Sequence, residues 1–297
     1  MKHLSTINAP ADTVRRIISD AEYWPIFFAP TVACEQNRED EEHEEIRLWA
    51  RNGELDMIVS WRSERHFSPD RRNITFQQVE PAPPLTEMAG MWTIKETDER
   101  TTELTLSHTL GAADEDALRT AQTTTDYNSA VELTNIKTLA EEYGDTLREH
   151  IVRTQDEVWI DAGVHEVFVP LWEVSMWPDF LDHVDAVTLL SQGTDQQRFS
   201  MKLKGSIEHA HSVESVRVAR PDQWVAFKQI QTPAGVYGHA GTWTFEEADG
   251  GTRVTVSHLA LLERTENMSL SDLVTRLSAN LSHSSLSTLA AIERLTA

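Results

Sequence analysis

The chain carries one unit twice, and this duplication limits the fold more than any other feature of the sequence. Ile7-Asn8-Ala9-Pro10 returns as Ile160-Asp161-Ala162-Gly163, and Trp24-Pro25 returns as Trp177-Pro178. Ser68-Pro69-Asp70 returns as Arg220-Pro221-Asp222, and Gly90-Met91-Trp92-Thr93-Ile94 as Gly241-Thr242-Trp243-Thr244-Phe245. Leu106-Ser107-His108 returns as Val256-Ser257-His258, and Lys137-Thr138-Leu139-Ala140 as Ser287-Thr288-Leu289-Ala290. Order and spacing hold throughout. A period near 150 residues means two whole domains, 1–150 and 151–297, rather than a solenoid.

Each copy reads as a strand, two helices, six strands and a long helix. In copy one, His3–Ile7 has strand character. Pro10–Ser19 is helical, with proline near the start where its missing N–H costs nothing. Six strand-like runs follow between residues 32 and 110. Asn52-Gly53, Pro69-Asp70 and Pro81-Ala82-Pro83-Pro84 punctuate them. A helix is predicted over 115–149, and its counterpart over 270–295. Consecutive strands imply an antiparallel meander, and a long terminal helix covers one face of it. The expected fold is α+β: two tandem helix-grip domains, each about seven strands wrapped around a C-terminal helix with an interior pocket.

Strand periodicity then selects what faces each pocket. Met57, Val59, Trp61, Ser63, Arg65 and Phe67 share one face, an apolar one that carries an arginine. Met88, Gly90, Trp92 and Ile94 share another, and His108 points inward with Leu104, Leu106 and Leu110. Copy two places Val213, Ser215 and Arg217 on one face together with His209 and His211. Tyr237, His239, Gly241, Trp243 and Phe245 share the next, and His258 lies among Val254, Val256 and Ala260. Both copies thus put an arginine and a histidine on interior faces beside a tryptophan. A structural reading stands beside the functional one: the arginine pairs with a carboxylate from the long helix, and the histidine is a satisfied core group. The glycines at 90 and 241 fit close approach of another group to the sheet, or a bulge. The Trp-Pro corners either gate the pocket or staple the small helices.

Composition narrows the function classes. No run of about 18 apolar residues is present, so no membrane span is expected. The N-terminus has no signal-peptide pattern. Cys34 is the only cysteine, which excludes an internal disulfide or a cysteine-based metal cluster and fits a cytoplasmic location. A net charge of −22 argues against nucleic acid or an anionic membrane as partner. The acidic run Glu39–Glu45 reads as a solvated hairpin tip. There is no phosphate loop, GxSxG or HExxH motif. His209 and His211 alternate, but no third zinc ligand is placed near them.

Trp24-Pro25, Trp61-x-Ser63-Glu64-Arg65, Gly90-x-Trp92 and the terminal helix resemble the aromatase/cyclases of bacterial type II polyketide systems, members of the START/Bet v 1-like superfamily. The duplication resembles their didomain branch. The resemblance implies first-ring aldol cyclisation and dehydration of a ketoreduced poly-β-ketone on acyl carrier protein, alongside ketosynthase and ketoreductase, with no metal or redox cofactor. It implies a catalytic role for Arg65; the inward His108, with its near-neutral reference pKa, is the candidate proton carrier, and the repeat extends both roles to Arg217 and His258. Trp24, Phe28, Trp61, Ser63, Met88 and Trp92 would bind substrate in copy one, and Trp177, Tyr237, His239 and Trp243 in copy two. Copy two lacks the Trp and the Glu-Arg pair, having Val213-Glu214-Ser215-Val216-Arg217, so copy one is expected to carry the main chemistry. A tyrosine that some single-domain relatives carry in the pocket is Thr31 here. Arg62, Arg71 and Arg72 are a candidate docking patch for the carrier protein. The alternative within the superfamily is a non-catalytic carrier of hydrophobic ligands, or a folding chaperone for the polyketide.

Overall fold

The structure is a computed structural model that describes residues 1–52, 57–81, 83–204, 212–265 and 268–297. It divides into two compact units, Met1–Arg148 and Glu149–Ala297. The first holds β1 (Lys2–Ile7), α1 (Ala11–Ser19), α2 (Trp24–Phe27), β2 (Thr31–Arg38), β3 (His43–Asn52) and β4 (Met57–Phe67). β5 (Asn73–Glu80), β6 (Leu85–Asp98), β7 (Thr101–Ala112) and α3 (Glu115–Tyr143) complete it. The second repeats the order: β8 (Ile151–Ile160), α4 (Val164–Trp172), α5 (Trp177–Phe180), β9 (Val184–Gln192), β10 (Gln196–Leu203) and β11 (Ser212–Arg220). β12 (Trp224–Gln229), β13 (Val236–Ala248), β14 (Gly251–Leu262) and α6 (Leu270–Thr296) follow.

Each unit has one antiparallel seven-stranded sheet, a meander whose first strand closes against its last. The orders are β1-β7-β6-β5-β4-β3-β2 and β8-β14-β13-β12-β11-β10-β9. This is the helix-grip layout that the strand count implied. Alternation builds the inner layer: Thr102, Leu104 and Leu106 are fully buried, as are Thr252, Val254 and Val256. The long helix lies against the first and last strands of its own sheet, α3 on β1 and β7, α6 on β8 and β14. Asp114 caps α3 by accepting from Ala117 N at 2.8 Å, and Ser269 caps α6 by accepting from Asp272 N at 3.1 Å.

The predicted helix over 115–149 is two pieces. α3 stops at Tyr143 because Gly144 takes φ of 55°, and a 3-10 turn runs from Gly144 to His150. The buried positions of α3 include Ala121, Thr125, Ser129, Leu133 and Ile136, one stripe at helical spacing with a polar N-terminal half.

Gly90 and Gly241 are close-approach positions, and the group that approaches is a phenylalanine. Phe76 pairs directly with Gly90, and Phe227 with Gly241. A Cβ at Gly90 would sit 2.3 Å from Ser107 O and 2.4 Å from Phe76 Cζ. At Gly241 it would meet Ser257 O at 2.4 Å and Phe227 Cζ at 2.6 Å. A carbonyl in a ladder cannot retreat. Gly241→Ala is therefore expected to lose about 1–3 kcal/mol in urea unfolding, whereas Gly250→Ala acts through its positive φ alone, with nothing within 4 Å of the new methyl.

Candidate functional site

The interior arginines come first because they fix the first helix of each unit. The last carbonyls of a helix have no partner inside it. In α1, Asp20 N donates to Arg16 O at 3.0 Å, Trp24 Nε1 donates to Ile17 O at 3.1 Å, and Arg65 Nη2 donates to Ile18 O at 2.6 Å. In α4, Glu173 N donates to Val169 O at 2.8 Å and Trp177 Nε1 to Pro170 O at 3.0 Å. Arg217 then donates to Leu171 O at 2.8 Å and to Trp172 O at 2.6 Å. A cation at a helix C-terminus also meets the negative end of its dipole. The Trp-Pro corners are thus staples.

Both guanidiniums are buried among aromatic rings. Arg65 lies 5.0 Å from the Trp24 ring and 5.2 Å from Phe67; Arg217 lies 4.9 Å from Trp172, 5.1 Å from Trp177 and 5.1 Å from Phe199. Arg65 Nη1 forms an ion pair at 3.0 Å with Glu44 Oε1, the residue opposite it on β3. Glu44 Oε2 accepts from Gln36 at 2.7 Å and Arg38 at 2.9 Å. Glu44 is only 2% exposed, so the acidic run is not wholly a solvated tip: its Glu44 points into the core. The same position in the second unit is Gln197, whose Oε1 accepts from Arg217 Nη2 at 2.5 Å. Without a paired carboxylate, burial pulls Arg217 down to about 9, against the pull of Glu173. Burial also lowers Arg65, against the opposing charges of Glu44 and Glu132.

The sequence-selected residues therefore separate into two groups. Arg65, Arg217, Trp24, Phe28 and Trp177 belong to the clamp on the first helix; Phe28 packs edge-on against Trp24 at 5.5 Å. Ser63 and Trp92 are buried on the inner face, and Trp61, Met88 and Trp243 are half-buried. Tyr237 sits where the ladder is irregular. The register shifts between Val236 and Gly238, Val236 joins the interior cluster, and Tyr237 is half-buried. His209 and His211 lie outside the described residues.

His108 of β7 points inward opposite Gly90, edge-on to Phe76 at 5.5 Å. Its Nδ1 is buried without a hydrogen-bond partner, and burial pulls the ring down to about 4, so it is neutral at pH 7. On α3, the half-buried Glu132 sits one helical step from the buried Ser129 and Ile136 and within the field of Arg65. Burial pushes its carboxyl up to about 7, while Arg65 pulls it back. The sequence pointed to a carboxylate of the long helix as the partner of the arginine, but the paired carboxylate is Glu44 of β3, and Glu132 acts on Arg65 only through its charge. Cys34 is no nucleophile: burial pushes its thiol up to about 12.

The second interior differs. His239 Nε2 and His258 Nδ1 are 3.0 Å apart, and His258 Nε2 lies 2.7 Å from Ser285 Oγ of α6. All three are buried. The imidazoles stack at 5.2 Å, and Phe227 meets both edge-on. Burial pulls His239 to about 3 and His258 to about 4.

Arg62 pairs with Glu45 and Glu80 at 3.4 Å each, Arg71 with Glu41 at 3.7 Å, and Arg72 with Glu96 at 2.8 Å. The candidate docking arginines each face a carboxylate, so this patch presents little free positive charge.

Two outcomes follow for stability. Arg65→Ala strands Glu44 with only Gln36 and Arg38 and leaves Ile18 O unpaired; it is expected to cost about 3 kcal/mol in urea unfolding, with Glu44→Gln added to it recovering part. A single variant within about 1 kcal/mol of wild type would contradict the clamp. The second concerns pH. His108, His239 and His258 have folded values below the unfolded value of about 6.5, so their neutral burial stabilises fully above that pH and is lost as pH falls toward 4. Glu132 and His43, raised in the fold, work the other way, and His183, lowered by burial, adds to the three. The urea midpoint is expected to drop between pH 7 and pH 5, less so in His258→Asn.

No protein-family model matches the chain. Curated relatives do. It is 30% identical over 266 residues to the granaticin polyketide synthase bifunctional cyclase/dehydratase of Streptomyces violaceoruber, covering 88% of this chain and 81% of that one. It is 30% identical over 265 residues to the actinorhodin counterpart of Streptomyces coelicolor, covering 86% and 82%. The crystal structure of the di-domain ARO/CYC BexL from the BE-7585A biosynthetic pathway matches over 100% of this chain and 98% of that one, with TM-score 0.80 and 29% identity. That of StfQ from the steffimycin pathway matches over the same shares, with TM-score 0.81 and 25% identity. With two similar units, a shared didomain architecture and this degree of identity, the chain belongs to the family of polyketide synthase bifunctional cyclase/dehydratases.

Proposed function

We propose that this chain is the aromatase/cyclase of a bacterial type II polyketide synthase. It closes the first ring of a ketoreduced poly-β-ketone tethered to acyl carrier protein, by aldol addition, and then removes water. The observation that carries the reading lies in the first unit: one carboxyl poised near neutrality, Glu132, within the field of the buried Arg65, in a domain whose inner face also carries His108 and half-buried aromatic side chains. Its family relatives named as cyclase/dehydratases support the reaction class.

The chemistry needs little more than this. A methylene between two carbonyls is already acidic, so a base near pH 7 suffices. Glu132 takes one methylene proton, and the C–H electrons become an enolate. The enolate carbon adds to a ketone carbon, and the new alkoxide takes the proton back from Glu132. Arg65 is held by Glu44 and Ile18 O, so it acts on Glu132 and the enolate through its charge rather than by direct donation. Neutral His108 can donate one hydrogen bond to a ketone oxygen. Trp61, Met88 and Trp92 restrict the chain to one near-attack fold, which decides regiochemistry. The carrier-protein partner rests on the class of relatives, not on the arginine patch.

The test is reconstitution with ketosynthase, ketoreductase and acyl carrier protein, comparing products with and without the chain. A shift to one cyclised aromatic product is expected; an unchanged product pattern overturns the reading and favours a carrier. Glu132→Gln is expected to slow ring closure by about 10²–10⁴-fold while staying folded. Wild-type rate should rise as pH crosses the region near 7 where Glu132 ionises, and the variant should lose that rise.

A further inference from the structure

The second interior contains a proton-handling group that the first lacks. Repeat positions make the comparison direct. His258 opposes Gly241 as His108 opposes Gly90. His239 sits two residues before Gly241, where the first unit has Met88 two residues before Gly90. Ser285 stands at the repeat position of Asn135. In the first unit the histidine has a bare, buried Nδ1. In the second, both nitrogens of His258 are engaged, one by His239 and one by Ser285.

The charges around the second histidine also differ from those around the first. Asp156 of β8 pairs with Val256, two residues before His258, and its buried Oδ2 has no hydrogen-bond partner. It favours the protonated His258 against the burial that lowers it. The first unit has His3 at that repeat position, which disfavours a charge on His108. Among the described residues, no hydrogen bond engages His239 Nδ1. It is the open end of the relay.

We propose that the second unit is the dehydration centre, with His239 as its catalytic acid/base and His258 and Ser285 as positioning residues. This deepens the cyclase/dehydratase reading and rests on it. The ligand class is a cyclic β-hydroxy ketone, the product of an aldol closure. His239 Nδ1 takes the proton α to the ketone, and the C–H electrons form an enolate. The imidazolium shares its charge through Nε2–H with His258 Nδ1, while Ser285 holds the far nitrogen. The enolate expels the β-hydroxyl as the C–O bond breaks. His239 returns its proton to that oxygen, releasing water and restoring the neutral imidazole. Every bond and proton is accounted for without a co-reactant.

The experiment uses the full chain and the N-acetylcysteamine thioester of a six-membered cyclic β-hydroxy ketone, with loss of water followed by mass spectrometry. Wild type should dehydrate the probe. His239→Phe, which keeps a flat ring in the stack, should slow water loss about 100-fold or more; His239→Asn serves if the phenylalanine variant does not fold. Ser285→Ala should slow it less, and Ser285→Thr should restore it, a rescue that a packing role for the serine does not give. A downfield imidazole N–H resonance, lost in His258→Gln, should report the shared proton. Dehydration by wild type at a rate unchanged in folded His239→Phe or His239→Asn overturns this proposal alone. A wild-type chain that leaves the probe hydroxylated overturns the proposal, and the reading beneath it falls only if reconstitution also leaves the product pattern unchanged.

Discussion

One guanidinium per unit, driven into the core, holds the architecture together. Arg65 and Arg217 satisfy helix-end carbonyls that no backbone donor reaches. Burying a charge is expensive unless it is paired and hydrogen-bonded. The two units meet that cost differently. The first adds a carboxylate, Glu44, itself held by Gln36 and Arg38. The second uses a neutral amide, Gln197, and more carbonyls and rings. Because the arginine ties strand to helix, and the Trp-Pro indole ties the corner to the same helix, one end of each interior is fixed. The sheet and long helix are then free to vary what faces inward.

Variation is concentrated at those free positions. The frame keeps Gly90 and Gly241 beneath Phe76 and Phe227, with a histidine opposite each glycine. Near that histidine the first unit has Met88 and His3, and its long helix carries the Glu132 carboxyl. The second has His239, Asp156 and Ser285. A carboxyl near neutrality suits proton removal from an acidic methylene, and a linked imidazole pair suits elimination of a hydroxyl. Two copies of one frame can thus take successive steps on a chain.

Much of the fold was legible because its signals are local. The repeat, the alternation in β7 and β14, and the Gly/Pro turns gave strand order and layers. Gly144 marked the end of α3, although the helical pattern on both sides invited a longer reading. Burial of Glu44 was not legible, since its neighbours Glu39–Glu42 form a genuine surface tip and only cross-strand register with Arg65 distinguishes it. The register shift at Tyr237 hides for the same reason: period-two reasoning assumes an unbroken ladder. Inward-pointing His108, His239 and His258 followed from strand alternation, but the Ser285 contact joins residues 27 apart and needed the packed helix. The clamp role of Trp24 and Trp177 was one of two readings open at the outset. The helix-end carbonyls decide it.

A division of labour between the two interiors is open to one direct measurement. Full-length wild type, Glu132→Gln and His239→Phe are each run in the same reconstituted system, and carrier-bound intermediates are resolved by mass over time. Different points of arrest are expected: an uncyclised chain with Glu132→Gln, and a cyclised species retaining one extra water with His239→Phe. Arrest of both folded variants at the same intermediate would contradict that division.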